Sequence, residues 1–435
     1  MKATKIYLLL VLGLILFLAS CKKDNDSGSD QPDVPNQEDK FVFDVQWTDQ
    51  TVYFDEDALG DLVKVDTADY RYYFKSSSTT AAALAPGNIL VIHGLALRKV
   101  STVNTVDNQI IVETAYAKLN EAVSDGEIEW DYGVNFNTTQ IPQLVTDENA
   151  YPFKQISSDS FSIKLKIGKY DYEISMKFKG DHAEVKQTIE KKVAGALKLR
   201  FTCEGSIEQF RTSNKMSYSH SNLTYYENEN KNLKGELTVK LNAAGSGNDM
   251  INMEFPATLL TFPFNVGPIP TVVSVKVQFV AQAVVPPAGS SIVSAKFTYN
   301  SNTGLGYSLN GGVIAKGGKG TYNIEKKEAQ TGAPGAIGIN FGLGFPRIEV
   351  GVFGQVIVPW AQTAFLVGGD YTFNPACQQA KAAYIGACGY KLSFLGYEAE
   401  GTKTLWNEEK ILLQSGNCGK SDSYLNIVDI LTGEK

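Results

Sequence analysis

Histidine is nearly absent from this chain: His93, His182 and His220 are the only three in 435 residues. So few imidazoles, with no H-E-x-x-H spacing, leave a zinc hydrolase without a ligand set. There is no G-x-S-x-G, which removes the nucleophile elbow of an α/β-hydrolase. His182 adjoins a Gly180-Asp181 turn, His93 follows an apolar strand, and His220 lies in a polar run, so each is expected to be solvated or locally bonded. Cysteine is also scarce, and none of the five forms a C-x-x-C pair. The formal charge is −7 and no basic cluster occurs, which argues against nucleic acid as a partner. After residue 20 no apolar run approaches the ~20 residues of a spanning helix. Neither a metal nor a cofactor is expected.

What is present begins at the amino terminus. Lys2 and Lys5 precede an apolar run from Ile6 to Leu18, followed by Leu18-Ala19-Ser20-Cys21. The run is too short for a membrane span and reads as the hydrophobic core of a secretory signal. Its ending resembles a lipobox, the cleavage and acylation signal of bacterial lipoproteins. That resemblance implies removal of residues 1–20 and a diacylglycerol on the Cys21 sulfur. With Lys22-Lys23-Asp24-Asn25-Asp26 next, the start is similar to that of surface-exposed lipoproteins of Bacteroidetes-type bacteria. No Asp follows Cys21, so an outer-membrane or cell-surface location is implied, with the membrane a partner through the lipid. Acyl chains contribute about 0.8 kcal/mol per buried methylene, so two or more make a stable anchor. Residues 21–40 then form a tether. The stretch from Lys22 to Lys40 has three lysines against six acidic residues, two prolines and one aliphatic side chain, too little to order itself by burial. Losing residues 1–20, with two lysines and no acid, takes the charge from −7 to −9.

Period-two alternation dominates the rest. Phe161, Ile163, Leu165 and Ile167 alternate with Ser162, Lys164 and Lys166. After Gly168-Lys169, Tyr170, Tyr172, Ile174, Met176 and Phe178 alternate with polar residues, and Gly180-Asp181 opens the next strand. This is a meander with one face on a core and one charged face in water. Leu197 to Cys203, Leu237 to Leu241 and Val273 to Phe279 fit the same template. The prolines at 256, 263, 268 and 270 are expected to mark an extended crossover into a second sheet, because proline is disfavoured inside central strands. Beyond it, Ile337, Ile339, Phe341, Leu343 and Phe345 alternate with Gly338, Asn340, Gly342 and Gly344. Tight sheet-on-sheet packing is the plainer explanation of that glycine face, and a groove for an apolar ligand is the sharper one.

The fold class expected is mainly β: a small module over residues 41–155, then a large antiparallel domain over 156–435 built as two packed or strongly curved sheets. In the small module, Tyr70–Phe74 and Ile89–Ile92 read as strands. Leu97–Val100 and Gln109–Thr114 read as a hairpin, and Ala117–Val123 reads as a short helix ended by Ser124-Asp125-Gly126. The order is similar to a barrel-like segment of secreted bacterial proteins with an LxPGxxLV, LRKV, VET, LxEA layout, which implies no activity.

Four cysteines remain besides Cys21. In an oxidising compartment they suggest two disulfides, with Cys377–Cys388 and Cys203–Cys418 the pairing expected because the first closes a short loop. Asp55-Glu56-Asp57 with Asp61 is the best calcium candidate, although an acidic solvated loop explains it. Gly311–Thr321 is rich in glycine but lacks the spacing of a phosphate loop, and two glycine-rich turns around a short strand are expected. Aromatics give the one binding signal. Tyr72, Tyr73, Tyr225, Tyr226, Trp360 and Tyr371 fall where strands meet loops, and exposed rings stack on sugars or apolar ligands. The function expected is a noncatalytic envelope protein that binds a glycan or protein ligand, or supports an assembly. A glycan hydrolase with two carboxylates and a carrier of an apolar ligand are the alternatives.

Overall fold

The computed structural model describes residues 38–136, 141–145, 150–167, 170–192, 198–244, 249–285, 290–330, 337–373 and 376–418. The leader and Cys21, Gly168-Lys169 and Leu197 lie outside them. Alternating side chains and tight turns make these residues almost all strand. The chain enters on β1 (Lys40–Trp47) and then builds a small six-stranded sheet from β2 (Thr51–Phe54), β3 (Leu62–Asp66), β4 (Arg71–Lys75), β5 (Ile89–Ile92), β6 (Ala96–Val106) and β7 (Gln109–Tyr116). β2 and β5 run parallel, and the other pairs are antiparallel. One-turn helices α1 (Thr79–Ala82) and α2 (Leu119–Ala122) punctuate it. Phe54 and Phe74 stack at 4.7 Å over Leu90, Ile92 and Val112 to make its own core.

β8 (Val123–Val134) returns to pair with β1, register Lys40 to Asp131. The small sheet is therefore an insertion between two neighbouring strands of a larger sheet, and it spans residues 51–116. The flanking segments 40–47 and 123–134, expected within the small module, belong to the large sheet because their alternation finds its hydrogen-bond partners there. The helix ends at Ala122, and Ser124-Asp125-Gly126 continues as strand because Gly126 lies against β1 with no room for a side chain.

The rest of the chain forms two large sheets. Short strands β9 (Gln143–Val145), β10 (Ala150–Pro152) and β11 (Lys154–Ser157) lead to the meander β12 (Ser160–Ile167), β13 (Tyr170–Phe178) and β14 (His182–Lys192). β15 (Lys198–Glu208) and β16 (Phe210–Ser219) run on in line and pair along one edge of β17 (Asn222–Ala244). A two-residue turn at His220-Ser221, with φ of 51° and 60°, joins β16 to β17. The other edge of β17 takes β20 (Ser290–Ser308), and β20 takes β21 (Gly312–Gln330).

The second sheet contains β9, β10, β18 (Asp249–Val266), β19 (Ile269–Val285), β22 (Ile337–Val352), β23 (Gln355–Phe373), β24 (Ala376–Lys391) and β25 (Glu400–Gly416). The prolines do not interrupt it: Pro256 and Pro263 lie within β18, paired to β19 opposite Gln278 and Val272. β18 tolerates them because β9 meets its other side only at Thr258, so a missing N–H there forfeits no ladder bond. Gly311–Thr321 likewise forms a hairpin turn and one continuous strand, in place of two turns around a short strand.

The two large sheets pack face to face as a sandwich. Phe201 stacks on Phe341 at 4.8 Å, and Phe365 meets Phe297 at 5.1 Å, Tyr299 at 5.0 Å and Tyr384 at 5.6 Å. The outward face of the first large sheet carries cross-strand pairs such as Lys164–Glu173 at 2.8 Å, Lys186–Glu204 at 3.0 Å and Lys240–Glu328 at 2.8 Å. Exposed pairs contribute at most about 1 kcal/mol each, so they keep that face in water more than they hold the fold. On this sheet, an apolar inner face beneath a charged outer one is the reverse of a transmembrane barrel wall.

Candidate functional site

Four strands of the first large sheet, at the end where it approaches β25, enclose an open cleft of about 550 Å³. Register explains its lining. Ser206 on β15 pairs with Glu236 on β17, Glu236 with Thr298 on β20, and Thr298 with Asn323 on β21. Two residues along, Lys234 pairs with Asn300, with Glu208 beside Lys234. A register shift after Tyr299 pairs Asn300 with Gly320 and leaves Thr321 as the extra residue of β21. Each strand therefore contributes alternate polar side chains to one patch, the geometry any half-solvated strand imposes.

The chemistry is that of hydrogen bonding. Ser206, Thr298 and Thr321 offer hydroxyls, while Asn300 and Asn323 offer amides. Lys234 Nζ lies 3.0 Å from Glu208 Oε2, and Lys296 Nζ lies 2.6 Å from Glu236 Oε2. Tyr322 stands opposite the buried Tyr299 and so turns to the sandwich side, its ring 5.4 Å from Tyr384 and its hydroxyl donating to Glu408 Oε2 at 2.7 Å. That hydrogen bond, then burial, raises the Tyr322 phenol above its ordinary value. Hydrogen bonds from Lys319 and Tyr322 hold the Glu408 carboxyl below its own. The floor is shaped by Gly235, where a side chain would press on the Tyr299 hydroxyl from 2.9 Å. Burial raises the Tyr299 phenol well above normal.

Glu208 and Glu236 stand on adjacent strands as diagonal neighbours, a placement giving Cβ separations of somewhat under about 7–8 Å. That is the range in which two carboxylates can flank a glycosidic bond. Here each carboxylate is already engaged by a lysine, whereas a general acid requires a carboxyl isolated in apolar surroundings. The arrangement suits binding.

The aromatic residues singled out in the sequence are not gathered at this cleft. Tyr72 is buried in the small module, its phenol pushed up to about 12 by burial, and Tyr73 is half-buried under Lys64. Tyr226 is fully buried and bonded to Asn214 Nδ2 at 3.1 Å. Tyr225 is half-buried and donates to Glu227. Trp360 is buried against Gly389 with the Arg347 guanidinium 4.8 Å from its ring. Tyr371 lies on β23 opposite Gln378, and its side chain is outside the described set. Tyr72, Tyr226 and Trp360 are thus structural, because a strand–loop junction in a two-sheet fold is often still inside. The polar row itself was missed: Ser206, Thr298 and Asn323 are ordinary outward positions of alternating strands, and nothing local links them to Glu208.

The pairing of cysteines differs from expectation. Cys377 joins Cys418, while Cys203 and Cys388 are free and buried. β24 and β25 are antiparallel neighbours with Cys377 opposite Gly416, so strand pairing brings 418 to 377. Cys388 points the other way along β24, into the sandwich, where burial raises its thiol to about 12. Burial raises the Cys203 thiol as well.

The acidic loop disperses. Asp55 Oδ1 caps the Ala58 amide at 2.9 Å, Glu56 Oε1 sits 3.2 Å from His93 Nε2, and Asp61 faces Lys75. His93 Nδ1 meets the Tyr53 hydroxyl at 2.7 Å, and His182 Nδ1 meets Asp181 at 2.7 Å. Among the described residues no cluster of ligands could hold a metal, and no helix is long and apolar enough to cross a membrane. Comparisons with protein-family models, curated proteins and solved structures gave no match to this chain.

Proposed function

We propose that the chain is a noncatalytic, lipid-anchored envelope protein that binds a neutral glycan in the cleft between β15, β17, β20 and β21. Acylation at Cys21 would hold it at the outer membrane or cell surface, and residues 21–40 would space the folded body from the lipid. The observation that carries the reading is the cleft itself: three hydroxyls and two amides line it, with Glu208 and Glu236 each balanced by a lysine. Sugar hydroxyls both donate and accept, and a surface of hydroxyls and amides meets them. The balanced charge favours an uncharged ligand over an acidic one.

The test is a glycan array probed with the mature chain carrying Cys21→Ser, beside the same protein with Asn323→Ala, which stands opposite Thr298 in the polar row. Binding of one family of neutral glycans, reduced at least tenfold by Asn323→Ala, is expected. A uniformly blank array, or binding indifferent to Asn323→Ala, overturns it. Hydrolysis of a bound glycan would move the reading to the two-carboxylate enzyme.

A further inference from the structure

The inner face of the first large sheet turns polar at one block. Along β16 the buried positions are Phe210, Thr212, Asn214, Met216 and Tyr218, and β17 buries Tyr226, Asn228 and Asn230 in succession. Register sets the polar ones side by side. Thr212 stands opposite Asn230 and Asn214 opposite Asn228, while Trp130 of β8 faces Asn214 from its other side. Directly opposed residues on one face have Cβ atoms about 4.5–5.5 Å apart. The block lies between the sheets: Trp130 meets Phe264 of the second sheet at 6.1 Å, and Thr303 and Leu305, opposite Asn230 and Asn228, extend the face on which Tyr299 meets Phe365. Thr212, Asn228, Asn230 and Trp130 are 0% exposed and Asn214 is 2% exposed.

Only half of the block's bonding capacity is met by protein. Each asparagine uses its amide nitrogen: Asn214 Nδ2 donates to the Tyr226 hydroxyl at 3.1 Å, Asn228 Nδ2 to the Ser213 carbonyl at 3.3 Å, and Asn230 Nδ2 to Thr303 Oγ1 at 3.3 Å. The three Oδ1 atoms, Thr212 Oγ1 and Trp130 Nε1 find no partner among the described residues. Turning an amide over only exchanges which end is left. Nearly all buried polar atoms in folded proteins are paired with protein or with ordered water, so five together call for an occupant. Beside them β17 bulges, two residues standing against Asn302 alone between Asn230 and Leu233, with Asn232 at φ 59°. A bulge bends its strand, so the sheets need not close on each other there. The mixture of atoms selects the occupant. Carbonyl oxygens need a donor and the indole N–H needs an acceptor; a bare cation serves the first and an anion the second, whereas water serves both.

We propose that Thr212, Asn214, Asn228, Asn230 and Trp130 form an internal water site within the sandwich. At about three hydrogen bonds each, about two ordered molecules satisfy the five atoms and tie β8, β16 and β17 together through their side chains. Thr212→Val tests it, because the change keeps the β-branched shape and removes only a hydroxyl that bonds to no described residue. In denaturant titrations of the mature chain carrying Cys21→Ser, Thr212→Val is expected to raise the unfolding constant roughly threefold or more, since the water loses a partner. An unchanged or smaller constant overturns the proposal, because a dry buried hydroxyl is better removed. The same rise is expected in sodium, potassium and choline chloride; a rise confined to one cation assigns the site to that ion and overturns it. Crystallographic density of the parent decides independently of how the variant folds. Two peaks within about 2.7–3.2 Å of these atoms support the site, and an empty block, or side chains bonded directly to one another, overturns it.

Discussion

Removing the ring of Phe365 tests the sandwich at its joint. Phe365 is 0% exposed on β23 and touches Phe297 and Tyr299 of the opposing sheet as well as Tyr384 of its own. Phe365→Ala deletes a buried ring whose neighbours, fixed on long strands, collapse only partly into the space. Such truncations cost about 3–5 kcal/mol, against a total stability of about 5–15 kcal/mol. A loss of about 4 kcal/mol raises the unfolding constant roughly a thousandfold. Denaturant unfolding followed by tryptophan fluorescence reports it, since Trp406 packs 5.3 Å from Tyr384. Ile411→Ala, at a site 53% exposed, is the control and should stay within about 0.5 kcal/mol of the parent. Adding Phe297→Ala completes a double-mutant cycle with an expected coupling of about 0.5–1.5 kcal/mol. A cost below about 1 kcal/mol, or a coupling of zero, would mean that the sheets do not meet through this ring.

Two further outcomes follow from named groups. Non-reducing peptide mapping should recover one linked pair, 377 with 418, while Cys203 and Cys388 resist alkylation at pH 8 until the chain is denatured; a Cys203–Cys418 peptide would refute the register of β24 and β25. Glu227 is raised by burial, but hydrogen bonds from Lys316 and Tyr225 more than reverse this, leaving its folded value depressed. Its contribution to stability is then full above the unfolded value of about 4.3 and fades as pH falls through the folded one. Melting temperatures of the parent and Glu227→Gln should differ most above about pH 5 and converge in acid; a gap that widens in acid contradicts this sign.

The meander at 160–192 was legible because its faces differ in polarity, and a one-residue slip would reverse every side chain. The helix before β8 was legible in place but overlong, since Ser124-Asp125-Gly126 reads as a stop by local rules and becomes strand only when β1 lies beside it. The prolines of β18 misled for the same reason: whether a missing N–H is costly depends on which edge of the strand has a neighbour. The aromatic candidates failed because tyrosine and tryptophan at strand ends look alike whether or not a second sheet covers them.

By itself the sequence determined the strand content, the alternation of charged and apolar faces, the amino-terminal signal pattern and the absence of metal-ligand and nucleophile motifs, because each is written in residues close together along the chain. Only the tertiary structure decided which cysteines pair, which tyrosines are buried, that the small sheet is an insertion, and that Ser206, Glu236, Thr298 and Asn323 stand in one row. Those facts are set by hydrogen-bond register between strands up to about a hundred residues apart, and register is a property of the sheet, not of any one of its strands.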